Sequence, residues 1–111
     1  MNTFSTHVLD LSRGFPAAGI QIVLEERRTD GAFTEIGRGK TDSDGRLKNL
    51  VPGLPAGTYR ITFDVDAYFS AQGIEAFFPE ALVLFRLKDG ASHYHVPLLL
   101  SPFGYSTYRG S

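Results

Sequence analysis

The sequence has 111 residues, enough for one domain, and 42% of them are hydrophobic, with nine Phe and five Tyr available for a core. Eleven basic and twelve acidic residues leave a formal charge of −1, so no strong field draws the chain toward nucleic acid or an anionic membrane. The absence of cysteine excludes a disulfide framework and thiol chemistry.

The opening stretch MNTFSTHVLD has neither a basic n-region nor an apolar h-region, so no signal peptide is expected and the expected location is the cytoplasm. No apolar run approaches the roughly 20 residues of a membrane-spanning helix. In THVLDL, His7 shares its parity with Leu9 and Leu11, opposite Thr6, Val8 and Asp10. Both sets mix polar and apolar residues, so alternation alone does not say which face His7 serves. After the loop SRGFPAAG, Ile20, Ile22 and Leu24 mark a strand. Turn signals follow at Asp30-Gly31, Asp44-Gly45, Pro52-Gly53, Pro55 to Gly57 and Asp89-Gly90.

The stretch GTYRITFDVDAYF alternates cleanly, with Tyr59, Ile61, Phe63 and Val65 on one side and Thr58, Arg60, Thr62 and Asp64 on the other. A period of two predicts a strand with one buried and one wet face. Ala67 to Gly73, AYFSAQG, predicts the one short helix, closed by its glycine. Leu82 to Leu87 reads as a further strand. Short strands at this spacing predict an all-β sandwich or barrel over residues 1–111, with no repeat, low-complexity tract or linker.

The run HYHVPLLLS, His93 to Ser101, has Tyr94, Val96, Leu98 and Leu100 on one parity, a core set. The other parity holds His93, His95, Pro97 and Leu99, and is apolar where water is expected. An apolar outer strand face implies something packed upon it, and a second subunit is the expectation. His95, on that face, has the chemistry of an acid or base near neutrality.

Asp42-Ser43-Asp44-Gly45-Arg46 is not a calcium loop. With Gly45 as the sixth position, Lys40 and Val51 fall where acidic ligands are required. It reads as a tight turn placing Arg46, whose donor fork suits a planar anion or carbonyl. His93 and His95 with His7 make a weak zinc set without a cysteine or a convincing carboxylate, so no metal is expected. No G-x-S-x-G elbow marks a nucleophilic serine.

Three stretches carry a resemblance: THVLDLSRGFPA, TDSDGRL and HYHVPLLLSPFGYSTYRGS, with GTYRITFDVDAYF and FFPE extending it across essentially the whole chain. The sequence closely resembles the hydrolase branch of the transthyretin-like family. The resemblance implies a sandwich of two four-stranded sheets with one short helix. It implies a homotetramer, a dimer of dimers, with active sites in the channel where dimers meet. The implied reaction is addition of water to 5-hydroxyisourate, a purine-derived small molecule of urate degradation, opening its ring at the N1–C6 amide. The implied product is 2-oxo-4-hydroxy-4-carboxy-5-ureidoimidazoline, and no cofactor is implied.

By the same resemblance the catalytic set is His7, Arg46, His95 and Ser111, and the substrate-binding set is His7, Arg46 and Tyr108. Arg109 and Gly110 complete the terminal motif YRGS, implied to fold into the channel and to bring a terminal carboxylate near the site. Phe78 and Phe103 stand where tyrosine is also common in the family. The hormone carriers on the same scaffold replace this set, so a transthyretin-like small-ligand binding protein is the alternative.

Overall fold

Alternation in Gly57 to Asp64 sets the frame: Tyr59, Ile61 and Phe63 are fully buried while Thr58, Arg60 and Thr62 stand on the other face. The computed structural model describes residues Met1–Ser111. It contains β1 (Thr3–Asp10), β2 (Phe15–Pro16), β3 (Gln21–Arg27), β4 (Phe33–Lys40), β5 (Arg46–Lys48) and β6 (Gly57–Asp64). Helix α1 (Val65–Ser70), β7 (Glu80–Leu87), β8 (His93–Ser101) and β9 (Gly104–Thr107) complete it.

Two sheets form a sandwich. One has the order β4-β3-β6-β7. The other runs β2-β1-β8-β9, and β5 also pairs with β1. Strands β2 and β5 take opposite halves of one edge of β1: β2 at Leu9 and Asp10, β5 at Ser5 to His7. The expected two four-stranded layers are therefore present, with the fourth place of one layer divided between two short strands. Strands β1 and β8 are parallel, joining the beginning and end of the chain side by side.

The inner faces interdigitate, as expected for a sandwich. Val8, Leu98 and Leu100 from one sheet meet Ile22, Leu24, Ile61 and Phe63 from the other, all with at most 1% exposure. Burying one such side chain stabilises the fold by about 1.5–3 kcal/mol, and Phe63→Ala would cost about 3–5 kcal/mol. The Tyr59 hydroxyl enters this core and donates to the Pro55 carbonyl at 2.7 Å. Burial, aided by Glu26, pushes its pKa up to about 12.

Helix α1 begins earlier than the composition predicts, at Val65. The cause is Asp64, whose side chain accepts from the Ala67 N–H and caps the first turn. Gly73, at φ 71°, lies in the turn beyond the helix. The helix also ties the sheets together: Tyr68 donates its hydroxyl proton to Oδ2 of the buried Asp10 at 2.7 Å. Burial pushes the Asp10 carboxyl up, but hydrogen bonds from the Ser12 and Tyr68 hydroxyls and the Arg13 and Ser12 amides outweigh it, leaving the pKa below 3.8.

Candidate active site

The site is built on the outer face of the β1–β8 sheet. In the parallel pairing Thr3 stands opposite His93, Ser5 opposite His95 and His7 opposite Pro97. In the antiparallel pairing with β5, Ser5 stands opposite Lys48 and His7 opposite Arg46. The tail then adds one isolated bridge, Gly110 to His95. One row across the sheet is thus Lys48, Ser5, His95, Gly110, and the next begins Arg46, His7, Pro97. Residues from four remote segments become neighbours because strand pairing sets them about 4.8 Å apart.

A cleft of about 350 Å³ opens here, and Ser5, Arg46, Lys48, His93, His95 and Ser111 are among its lining residues. His95 points Nδ1 at Ser5 Oγ, 2.8 Å away. Burial lowers the His95 pKa below 6.5, and like-charge repulsion from Arg46, His7 and His93 lowers it further. The ring is therefore neutral at pH 7 and able to take a proton. His7 holds its Nε2 2.8 Å from the Asp44 carbonyl oxygen. A carbonyl only accepts, so Nε2 carries the proton and the neutral ring keeps Nδ1 as its lone-pair nitrogen.

Arg46 is positioned by its turn. Oδ1 of Asp42 accepts from the Asp44 and Arg46 amides, both at 2.9 Å, and the Arg46 bond is the main reason the Asp42 carboxyl lies below its ordinary value. Gly45 adopts φ 75°, and a Cβ there would stand 2.5 Å from the Val8 carbonyl oxygen. Only glycine lets the turn lie this close to β1. The Asp42 carboxylate of DSDGR thus organises a turn, and no three His, Cys, Asp or Glu side chains converge as a metal-ligand group.

The tail is ordered by three contacts. Thr107 Oγ1 donates to the Pro97 carbonyl at 2.7 Å, and the Gly110 N–H donates to the His95 carbonyl at 2.7 Å. The Arg109 guanidinium lies over the Tyr94 ring, 4.7 Å from its centre. A Cβ on Gly110 would come within 2.6 Å of His95 Cδ2, so the glycine backbone packs directly on the imidazole.

Of the predicted residues, Arg46, His95 and Ser111 line the cleft. His7 stands beside Arg46 in register, outside the lining. Tyr108 is 56% exposed and is not among the lining residues, so the structure does not bring it to His95 within one chain. Sequence reasoning missed Ser5, Lys48 and Asn49. Ser5 and Lys48 become legible only with the strand register. Asn49 has a weak signal, being a turn-prone residue, and takes φ 55° at the cleft rim.

Comparison with known proteins places this geometry in context. The model of the HIUase/Transthyretin family matches residues 4–110. The 5-hydroxyisourate hydrolase of Salmonella typhimurium is 47% identical over 112 residues, covering 99% of this chain and 82% of that protein. The crystal structure of transthyretin from Sparus aurata superposes with a TM-score of 0.92 at 37% identity, covering 96% of this chain and 95% of that one. The structure of Klebsiella pneumoniae 5-hydroxyisourate hydrolase superposes with a TM-score of 0.89 at 38% identity, covering both chains completely. With a sandwich of this topology and a family match over nearly its whole length, the chain belongs to the HIUase/Transthyretin family.

Proposed function

We propose that this chain is a 5-hydroxyisourate hydrolase, a single-domain enzyme of urate degradation that opens a cyclic amide with water. The observation that carries the reading is the convergence of His95, Arg46 and Ser111 on one cleft, with the tail backbone laid against the His95 ring. Relatives at 41–47% identity bearing that name support it.

The chemistry needs a deprotonated water, a polarised carbonyl and a held planar ring. His95 is neutral at pH 7 and takes the proton of water. His7, with Nδ1 as its lone-pair nitrogen beside Arg46, orients the water or receives a second proton. Arg46 stabilises negative charge on the substrate oxygens as the water adds. Ser111 positions substrate or water at the cleft. Tyr108 contributes, in this reading, from the assembled channel rather than from within its own chain.

The assembly is proposed as a homotetramer. Phe77, Phe103 and Tyr108 are more than half exposed and Leu99 on the outer face of β8 is half-buried, so apolar surface is available to a second copy; Pro97, read from the sequence as part of that surface, is instead buried within the chain. Analytical ultracentrifugation should show a species larger than a monomer. The cytoplasm is the proposed location, and no helix is long and apolar enough to cross a membrane.

The carrier reading shares the sandwich but suits this cleft poorly. Its lining is polar apart from one hydrophobic residue, which favours a hydrogen-bonding heterocycle over a hydrophobic ligand. The decisive experiment generates 5-hydroxyisourate with urate oxidase and follows its ultraviolet decay. Acceleration by the protein is expected, and an unchanged decay refutes the proposal.

A further inference from the structure

We infer that Ser5 and His93 form a proton relay to His95, letting one imidazole act first as base and then as acid. The chemistry rests on the hydrolase reading above, whereas the wiring rests on geometry. Ser5 Oγ stands 2.8 Å from Nε2 of His93 and 2.8 Å from Nδ1 of His95. Beyond it, Thr3 Oγ1 stands 2.7 Å from Nδ1 of His93. The four residues are held on one face by the register of two parallel strands, Thr3 opposite His93 and Ser5 opposite His95.

A serine hydroxyl has one proton, so Ser5 donates to one ring and accepts from the other. The direction of one bond therefore fixes the rest. In one state His95 Nδ1–H donates to Ser5, Ser5 to His93 Nε2, and His93 Nδ1–H to Thr3, leaving a lone pair on His95 Nε2. In the reversed state Thr3 donates to His93 Nδ1, His93 Nε2–H to Ser5, and Ser5 to His95 Nδ1, leaving a proton on His95 Nε2. That nitrogen has no hydrogen-bond partner within the chain, and its ring lines the cleft.

The steps balance. From the first state, His95 Nε2 takes a proton from water as the water oxygen bonds to the substrate carbonyl carbon. The Nδ1 proton moves to Ser5 Oγ, and the Ser5 proton moves to His93 Nε2. His93 is then the cation, and His95 is neutral with its proton on Nε2. This proton goes to the ring nitrogen as the C–N bond breaks, in concert with the return of the His93 proton, so that His95 never becomes an anion. In that same movement the extra proton on His93 passes to Ser5 and the Ser5 proton to His95 Nδ1, restoring the start. Solvation favours holding the charge on His93, which is exposed, over His95, which is half-buried.

The groups facing His95 are His7 from β1, Arg46 and Lys48 from β5, and His93 from its own strand. The tail lays Gly110 on the ring and brings Ser111 to the cleft, while Arg109 turns onto Tyr94. Burial and the like charges lower the His95 pKa, whereas a hydrogen bond with the Ser5 backbone, distinct from the hydroxyl bond of the relay, raises it.

The test uses the full chain with three substitutions. His93→Gln keeps a nitrogen for Ser5 but cannot store a proton, His93→Phe removes both, and Ser5→Ala cuts the wire. All three should lower kcat about tenfold or more with KM nearly unchanged. The acid limb of the pH profile should move up in His93→Gln, which loses a like charge beside His95. Imidazole nitrogen NMR of the substrate-free protein should show coupled titration of His93 and His95 that Ser5→Ala abolishes. Wild-type kcat in His93→Gln overturns the relay, as does independent titration of the two rings in the unmodified protein. If Ser5→Ala fails to fold, the His93 pair and the unmodified protein decide. Failure of the unmodified protein to consume 5-hydroxyisourate overturns the hydrolase reading instead, and the NMR coupling then judges the wiring alone.

Discussion

Gly110→Ala tests whether the tail's packing on His95 sets the activity. The added Cβ would meet His95 Cδ2 at 2.6 Å, Cγ at 3.2 Å and Cβ at 3.3 Å. Carbon atoms prefer about 3.5–4.0 Å, so ring and tail must separate by roughly 1 Å. The backbone conformation itself does not resist alanine, since Gly110 is not among the positive-φ glycines. What is lost is the 2.7 Å bond from the Gly110 N–H to the His95 carbonyl, together with the alignment of the imidazole. A misplacement of about 1 Å at a reacting group costs up to about 10²-fold. The expected fall in kcat/KM is therefore about 10–100-fold, or about 1.4–2.7 kcal/mol of transition-state stabilisation. Stability should fall by no more than about 0.5–1.5 kcal/mol, the net worth of the one tail hydrogen bond lost. The assay is decay of enzymatically generated 5-hydroxyisourate, with the thermal midpoint measured in parallel. Gly104→Ala is the matched control, since its Cβ would meet only Ser101 Oγ at 3.9 Å. Unaltered kinetics in Gly110→Ala, or an equal loss in Gly104→Ala, would refute a catalytic role for the tail's packing.

His95→Ala should lower kcat by about 10²-fold or more with the sandwich intact, and unchanged turnover rejects its role in proton transfer. The kcat/KM profile of the unmodified protein should fall on the acid side with a midpoint below 6.5, because burial and like-charge repulsion from Arg46, His7 and His93 disfavour His95 protonation. A midpoint above 6.5 contradicts that electrostatic picture. Deleting Tyr108 to Ser111 should abolish activity while circular dichroism and the thermal midpoint stay close to the full chain. Tyr68→Phe removes a hydrogen bond to the buried Asp10 carboxylate and should cost about 1.5–3 kcal/mol in denaturant unfolding near pH 7. The Asp10 pKa is depressed in the fold, so the unfolded chain binds more protons around pH 4 and stability rises with pH there. That contribution is complete above about pH 4 and disappears as pH falls through the folded pKa. Tyr68→Phe should therefore flatten the acid side of the stability profile.

Much of this fold is legible because several strands obey a simple rule. Tyr59, Ile61, Phe63 and Val65 alternate, and all are buried. Tyr94, Val96, Leu98 and Leu100 do likewise. Strand β4 is not legible, for a reason specific to its glycines. Phe33 to Lys40 contains Gly37 and Gly39, which weaken any strand pattern. In the structure a Cβ at Gly37 would meet Leu50 and Val51 at 3.1 Å, and one at Gly39 would meet Leu47 at 3.2 Å. The glycines make room for a segment remote in sequence, which local propensity cannot register. Pro97 misleads in another way: it reads as apolar surface awaiting a partner, yet in β8, between β1 and β9, it is already buried within the chain. Its carbonyl is satisfied from the tail by Thr107. His7, Arg46, His95 and Ser111 are legible as a set only through resemblance to a family. Ser5 emerges only once β1 and β8 are paired, because nothing in FSTHV marks that serine as special.

The parallel pairing of β1 with β8 is the step on which the chemistry depends. Side chains alternate with a period of two, so a one-residue slip of β8 would turn His95 into the core and Val96 toward the cleft. The cost of such a slip follows from the buried set. Leu98 and Leu100 are each at most 1% exposed, and Tyr94 and Val96 each 7%, so a slip would expose four apolar side chains. At about 1.5–3 kcal/mol each, that exceeds anything a hydrogen bond or ion pair at the cleft could return. The polar face therefore does not choose its own arrangement. Core packing fixes where Ser5, His93 and His95 stand, and the short β5 segment and the tail bring Arg46 and Ser111 to that fixed row. This division explains how one sandwich could carry a hydrolytic site or a carrier site. The residues that hold the register lie on the inner face, and those that define the chemistry lie on the outer face or on short edge segments, where substitution leaves the core unchanged.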